Sequence, residues 1–203
     1  RDELAAFGEA IDTLQKKTIA DVGERDARYI RKLIRVQQYM EITGRGLLFA
    51  GVFPPAWVLG TLLLGVAKIL ENMEIGHNVM HGQYDFMNAP ELSGSSYEWD
   101  TVGTSDNWRE SHNYKHHSYT NIEGIDDDVG YSLLRIFPEQ RWHFACVFQS
   151  VAAVLLALLF QWGVAIQELQ LGKLAKGRKS WSQLKAELSP LWKKTRRQLL
   201  KDY

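Results

Sequence analysis

The chain has 203 residues, of which 45% are hydrophobic, and it carries 24 basic and 24 acidic side chains. This length suffices for one large domain or two small ones, and the balanced charge argues against a general nucleic-acid binder. The single cysteine, Cys146, lies in an apolar run, which excludes a disulfide framework and a cysteine-based zinc site. The sequence opens on Arg1 without a signal-peptide pattern, so we expect it to be part of a longer protein.

The first 43 residues alternate polar and apolar side chains at helical spacing. This pattern predicts an amphipathic helical region that packs one face against another surface. Basic side chains are frequent between residues 25 and 35. The predicted apolar stripe begins with Leu4, Phe7, Ile11 and Leu14.

A charge-free stretch, residues 46–67, follows this region. It is long enough to cross a bilayer, since roughly 20 residues suffice. Pro54 and Pro55 interrupt it, and adjacent prolines either kink a helix or form a turn between two helices. We predict a membrane hairpin over residues 34–76. A single crossing is the alternative, and it would place residues 25–35 and the histidines on opposite sides of the membrane.

The first arm of this hairpin contains two charged residues, Glu41 and Arg45. A charge within a membrane span is costly. Because the two residues are four positions apart on a helix, we expect them to form an ion pair.

Three segments complete the chain. Residues 77–142 are polar and too long for a simple connection, so they form the predicted cytosolic histidine region. Residues 144–166 are free of charge and of span length, and they either cross the membrane or re-enter it. Residues 167–203 are strongly basic, which predicts a cytosolic segment.

Five of the six histidines lie in two clusters. A spacing of four residues places two side chains one helical turn apart on the same face, so each such pair can converge on one metal ion. On an α-helix, His117 would point about 100° away from the adjacent His116. The two side chains could then bind two different ions, which favours a dinuclear centre. Imidazole is a good ligand for iron, zinc and copper, so residue type alone does not name the metal. The predicted metal ligands are His77, His81, His112, His116 and His117.

Other histidine chemistries fit poorly. A zinc protease needs a glutamate directly after the first histidine, and Asn78 and Asn113 occupy those positions. No serine, histidine and acid arrangement stands out. His143 stands alone at the start of an apolar run, and we interpret it as an interfacial residue.

Acidic side chains near the histidines are candidates for orienting the metal-binding rings. Carboxylates commonly accept the second ring proton of a metal-bound histidine and so fix the direction of its ring. One candidate follows the first cluster and three follow the second. The residues predicted to orient the rings are Asp85, Asp126, Asp127 and Asp128.

The two histidine clusters, about thirty residues apart, resemble the first two histidine boxes of the integral-membrane fatty acid desaturases. The stretch TNIEGIDDDVGY after the second cluster is similar to the bacterial acyl-CoA and acyl-lipid branch. The resemblance covers roughly residues 30–203, and its motifs lie within residues 77–130. It implies an all-α integral-membrane helical bundle with a histidine-box cap that faces the cytoplasm.

The resemblance also implies a chemistry. Two non-haem iron ions, dioxygen as co-substrate and two electrons would remove two hydrogens from a fatty acyl chain bound to coenzyme A or to a lipid. The electron donor would be of the ferredoxin or cytochrome b5 type. Aromatic side chains near the boxes would line the acyl tunnel or sit at the membrane interface. These are Trp99, Trp108, Tyr114 and Tyr119.

One departure from the family pattern is large. The family has a third histidine box near its C-terminal part, and no histidine follows His143 here. We therefore expect an N-terminal portion, without the third box and further spans, that does not desaturate an acyl chain by itself. The alternatives are a membrane di-iron hydroxylase or ketolase, and a non-catalytic membrane protein that binds a metal.

Overall fold

The computed structural model describes residues 2–126, 128–175 and 177–202. All regular structure in these residues is helical, which confirms the predicted all-α class. The chain divides into two compact units, one ending at Ser96 and the other beginning at Tyr97. The α-helices are α1 (Asp2–Asp21), α2 (Glu24–Phe49), α3 (Pro54–Ile69), α4 (His77–Met80), α5 (Ser105–Trp108), α6 (Gln149–Leu158), α7 (Phe160–Glu168), α8 (Leu171–Ala175) and α9 (Trp181–Asp202).

The N-terminal region forms the helix that its periodicity predicts. α1 carries no buried residue, and its apolar stripe is exposed, with Phe7 at 63%. The boundary with α2 is set at Gly23, whose backbone N–H donates to the Asp26 carboxylate at 3.0 Å. That carboxylate also lies in the first turn of α2, where the helix dipole favours negative charge.

Helices α2 and α3 form a packed hairpin joined by residues 50–53. Pro54 is the first residue of α3, where the missing proline N–H costs nothing. The helices approach closely at two buried glycines: a Cβ on Gly60 would lie 3.0 Å from the carbonyl oxygen of Gly44. The expected ion pair between Glu41 and Arg45 is present at 2.9 Å, with both side chains partly buried.

We expect Gly60→Leu to destabilise the hairpin by about 1–3 kcal/mol, because the added side chain would meet backbone of α2. Gly65→Leu is the matched control, since a Cβ at Gly65 meets nothing within 4 Å on the same helix. Thermal unfolding in detergent, followed by circular dichroism, measures both changes. Equal unfolding midpoints for the two variants would contradict the close helix contact.

Among the described residues, no single helix is both long enough and apolar enough to span a membrane. Phe144–Leu158 and Phe160–Glu168 together reach that length and apolar character, but the two helices are bent by 97°. The part of the predicted hairpin that follows the prolines, residues 56–76, is divided: α3 ends at Ile69, and a π-helical segment, Leu70–Gly76, continues the chain to His77.

The second unit has a small core around α7 and α9. Leu184 and Leu191 of α9 belong to one buried cluster with Val102 and with two residues of the α7 region, Ala165 and Leu169. Two α9 lysines then pair with the loop before α5: Lys194 with Glu98 at 2.7 Å and Lys201 with Asp100 at 2.8 Å. Residues 97–104, which precede the helix of the second histidine cluster in the chain, are therefore held against α9.

Candidate metal centre

The first histidine pair lies at the end of the α3 continuation. His77 begins α4 and His81 caps it, so a single helical turn separates the two rings. Their Nε2 atoms are 3.1 Å apart, and both side chains are partly buried. Two imidazole nitrogens at this separation can both reach one ion at about 2.1 Å.

A π-helical segment adjoins each histidine cluster. Leu70–Gly76 leads directly into His77, and Arg109–His116 contains His112 and His116 and is capped by His117. A π-turn widens the helix, and such turns occur frequently at functional sites. Side chains help to satisfy backbone carbonyls here: Asn78 Nδ2 donates to the carbonyl of Glu74 at 2.6 Å, and Ser111 Oγ donates to that of Asn107 at 2.8 Å.

The second cluster is paired with two carboxylates. His112 Nδ1 lies 2.7 Å from Asp128 Oδ2, and His116 Nδ1 lies 3.0 Å from Asp126 Oδ2. An ionised carboxylate can only accept a hydrogen bond, so each Nδ1 carries the proton and donates it. The Nε2 atoms of both rings are then left in the basic form that binds metal.

The same geometry places Asp128 close enough to act as a ligand itself. Ligating atoms of His112, His116 and Asp128 all lie within 4.8 Å of one another. A mixed set of imidazole and carboxylate ligands is compatible with iron, zinc and other first-row divalent metals.

Electrostatics keep the Asp126 carboxylate ionised. Burial raises its pKa, but hydrogen bonds from the backbone N–H groups of Asn121 and Asp128 and from the His116 ring outweigh burial and lower it. For His117, burial lowers the pKa, and the neighbouring rings of His112 and His116 lower it further. Both shifts favour the protonation states in which histidines bind metal.

His117 lies close to both other histidines of the second cluster. Its ring centroid is 4.9 Å from that of His112, the same separation as between His112 and His116. A π-turn pairs positions five residues apart, which places His117 beside His112. The planes of the adjacent His116 and His117 rings differ by 74°. The divergence of about 100° between the directions of these two side chains stays a prediction.

The remaining sequence candidates have other positions. The Asp85 carboxylate accepts a hydrogen bond from the backbone N–H of Gly94 at 2.8 Å, which closes the loop after the first histidine pair. Its role in orienting a metal-binding ring stays a prediction. Asp127 lies outside the described residues. His143 is exposed at the start of a short 3₁₀ turn, and its backbone carbonyl accepts the N–H of Cys146.

Two of the four aromatic candidates support the second cluster. Trp108 stacks on His112, with ring centroids 4.2 Å apart and planes 25° apart. Trp99, only 6% exposed, packs on Trp108 at 4.5 Å and donates its Nε1–H to the carbonyl of Gly103. Tyr114 is 60% exposed and lies against Tyr119 at 6.4 Å.

One acidic residue near the cluster was missed by the sequence analysis. Glu168 accepts a hydrogen bond from Asn107 Nδ2 at 3.0 Å, although 61 positions separate them. It lies two residues beyond the apolar segment 144–166. Burial raises the pKa of Glu168 to about 7, against the lowering effect of its hydrogen bonds from Asn107 and the Thr104 backbone. The sequence feature that could have pointed to Glu168 is its place as the first acidic residue after the long apolar segment 144–166.

The raised pKa of Glu168 predicts a pH-dependent stability. The folded chain holds this proton more tightly, so its contribution is complete below about pH 4.5 and is lost as the pH rises through about 7. We expect the unfolding midpoint in detergent to fall across that window, and to fall less in Glu168→Gln, which has no proton to lose. Identical pH slopes for both proteins would contradict the assignment.

The two histidine pairs at i and i+4, the second of them held by carboxylates, form a candidate polyhistidine metal site on a helical protein. Residues 53–195 match the fatty acid desaturase family. The chain belongs to this family.

Three relatives illustrate the similarity. The chain is 50% identical over 193 residues to the NADPH-dependent stearoyl-CoA 9-desaturase of Mycobacterium tuberculosis, which covers 95% of this chain and 45% of that protein. It is 37% identical over 99 residues to the sn-1 linoleoyl-lipid 6-desaturase of Synechocystis, covering 46% of this chain and 26% of that protein. The protein of that name from Arthrospira platensis is 32% identical over 123 residues, covering 57% of this chain and 32% of that protein.

The chain thus spans less than half the length of these curated relatives. No solved structure matches it.

Proposed function

We propose that this chain carries the first two histidine boxes of an oxygen-dependent fatty acyl desaturase. The observation that carries the proposal is the second cluster, where Asp126 and Asp128 hold the Nδ1–H groups of His116 and His112. With Nδ1 protonated, the Nε2 atom of each ring carries the lone pair with which a neutral imidazole binds metal. Membership of the family supplies the reaction class.

The metal in this proposal is a pair of irons, bound in part by His77, His81, His112, His116 and His117. When bound, the irons supply the dioxygen chemistry that removes two hydrogens from an unactivated methylene pair. The residues of this chain fix ring orientation: Asp128 and Trp108 constrain the His112 ring on two sides. Additional ligands would come from a third histidine box.

The substrate in this proposal is a fatty acyl chain on coenzyme A, with an acyl-lipid as the second choice. The order follows the relatives, since the acyl-CoA enzyme has higher identity over more of this chain than the acyl-lipid enzymes. Each turnover also needs two electrons, which we assign to a donor of the ferredoxin or cytochrome b5 type.

The proposal places the α2–α3 hairpin in the membrane and the histidine boxes on its cytoplasmic face. Exposed apolar side chains along α3, such as Trp57, Leu59 and Leu62, fit contact with lipid. The 97° bend between α6 and α7 favours an interfacial or re-entrant path over a straight crossing.

Site-directed labelling tests this topology. In a Cys146→Ser background, we expect cysteines at exposed Arg28 and exposed Glu123 to react with a membrane-impermeant reagent from the same side of a vesicle. The prediction follows from the hairpin, which returns the chain to the side on which it entered. Reaction from opposite sides would contradict the hairpin and support a single crossing.

A product assay tests the reaction itself. An enzyme that contains this chain would be supplied with stearoyl-CoA, dioxygen and a reducing system, and its acyl products analysed by mass spectrometry. We expect an oxygen-dependent loss of two mass units. A gain of one oxygen atom would instead identify a hydroxylase, and tight metal binding without any product would support a non-catalytic metal protein.

A further inference from the structure

Glu168 connects the second histidine cluster to α7. Its Oε2 accepts the Asn107 side-chain amide at 3.0 Å, and its Oε1 is fully buried. Asn107 lies in α5, which continues without interruption into the π-turn that carries His112 and His116. The carboxylate therefore holds the start of the histidine helix against a helix far along the chain.

The surroundings of this contact are tightly constrained. A Cβ on Gly103 would lie only 2.9 Å from Glu168 Oε1, so the loop before α5 packs directly on the carboxylate. That loop also accepts the Trp99 indole N–H at the carbonyl of Gly103. Trp99 in turn packs on Trp108, which stacks on His112.

We propose that Glu168 is a positioning residue, which orients His112 and His116 for metal through Asn107 and the packed loop. This inference rests on the proposed metal-binding function. The physical basis is that the π-turn is short and follows directly on the start of the helix, so the positions of the histidine rings depend on where that helix begins. The His116 side chain is one-quarter exposed, so its immediate surroundings fix its ring only in part. Loss of the contact frees the helix start, while the ring partners Asp126 and Asp128 remain in place.

The test uses the full chain in detergent with cobalt(II), whose absorption reports histidine coordination. The variants are Glu168→Ala, the conservative Glu168→Gln, and Glu187→Ala as a control that removes another paired carboxylate of the same unit. We expect Glu168→Ala to weaken cobalt affinity about tenfold, near the lower limit for outer-shell partners. Glu168→Gln, which can still accept from Asn107, should restore most of that affinity, and the control should leave it unchanged.

Hydrogen exchange on the metal-free chain separates positioning from general damage. In Glu168→Ala we expect exchange at residues 105–112 to accelerate about tenfold, the loss of one charge-assisted hydrogen bond. Exchange in α9 should not change. Unchanged cobalt affinity in Glu168→Ala, or weakening equal to that in the control, would overturn the inference while leaving metal binding intact. If the unaltered chain binds no cobalt, the proposed function fails, and exchange alone then shows whether the contact orders the helix.

Discussion

Replacing His112 by alanine is expected to weaken metal binding at the second cluster more than about 100-fold, since the loss of an outer partner alone costs 10–100-fold. His112 has the largest role because its ring contacts Asp128, Trp108, His116 and His117. In an enzyme that contains this chain, we expect the same change to abolish desaturation and leave membrane insertion intact. Loss of desaturation with intact membrane insertion is likewise expected when His77, His81, His116 or His117 is replaced by alanine.

His143→Ala is the matched control for these variants. It removes an imidazole that lies exposed and outside both clusters. Metal titration by calorimetry compares the proteins under identical conditions. An affinity in His112→Ala equal to that in His143→Ala would contradict the assignment of the second cluster, and normal activity in His117→Ala would remove the doubled histidine from the centre.

Asp128→Asn is expected to reduce metal affinity by about 10–100-fold. An asparagine can present its amide nitrogen as well as its oxygen to His112, so it no longer enforces the tautomer in which Nε2 binds metal. Asp126→Asn should act in the same direction through His116, whose Nδ1 lies 3.0 Å from the carboxylate.

Asp106→Asn provides the control for these two substitutions. Asp106 is a highly exposed carboxylate of the same unit, and it pairs with Arg109 rather than with a histidine. Isothermal titration of each variant, with circular dichroism to verify folding, measures the effect. Affinity losses equal to that of Asp106→Asn would show that Asp126 and Asp128 do not orient the rings.

The sequence was most informative where local rules dominate. Adjacent prolines at 54 and 55 predict a helix boundary, and α3 begins there. The four-residue spacing of Glu41 and Arg45 predicts their ion pair. Each of these features depends on residues within one helical turn or one short connection.

Other features depend on information that a local pattern lacks. Nothing in the spacing of His112, His116 and His117 distinguishes an α-turn from a π-turn, because both are compatible with the same residues. The hydrogen bond between Asn107 and Glu168 joins positions 61 apart, which only the tertiary structure brings together. The pairing of Asp126 and Asp128 with particular rings likewise depends on how the chain after His117 folds back on the helix.

We propose that the clustered histidines bind iron through imidazole nitrogens, with the opposite ring atoms of His112 and His116 held by carboxylates. X-ray absorption at the iron edge, on the anaerobically iron(II)-loaded chain, tests this most directly because imidazole rings produce a distinctive multiple-scattering signal. We expect that signal in the unaltered chain and in His143→Ala, and a reduced signal in His112→Ala and in Asp128→Asn. An iron environment of oxygen ligands alone, the same in all four proteins, would contradict it.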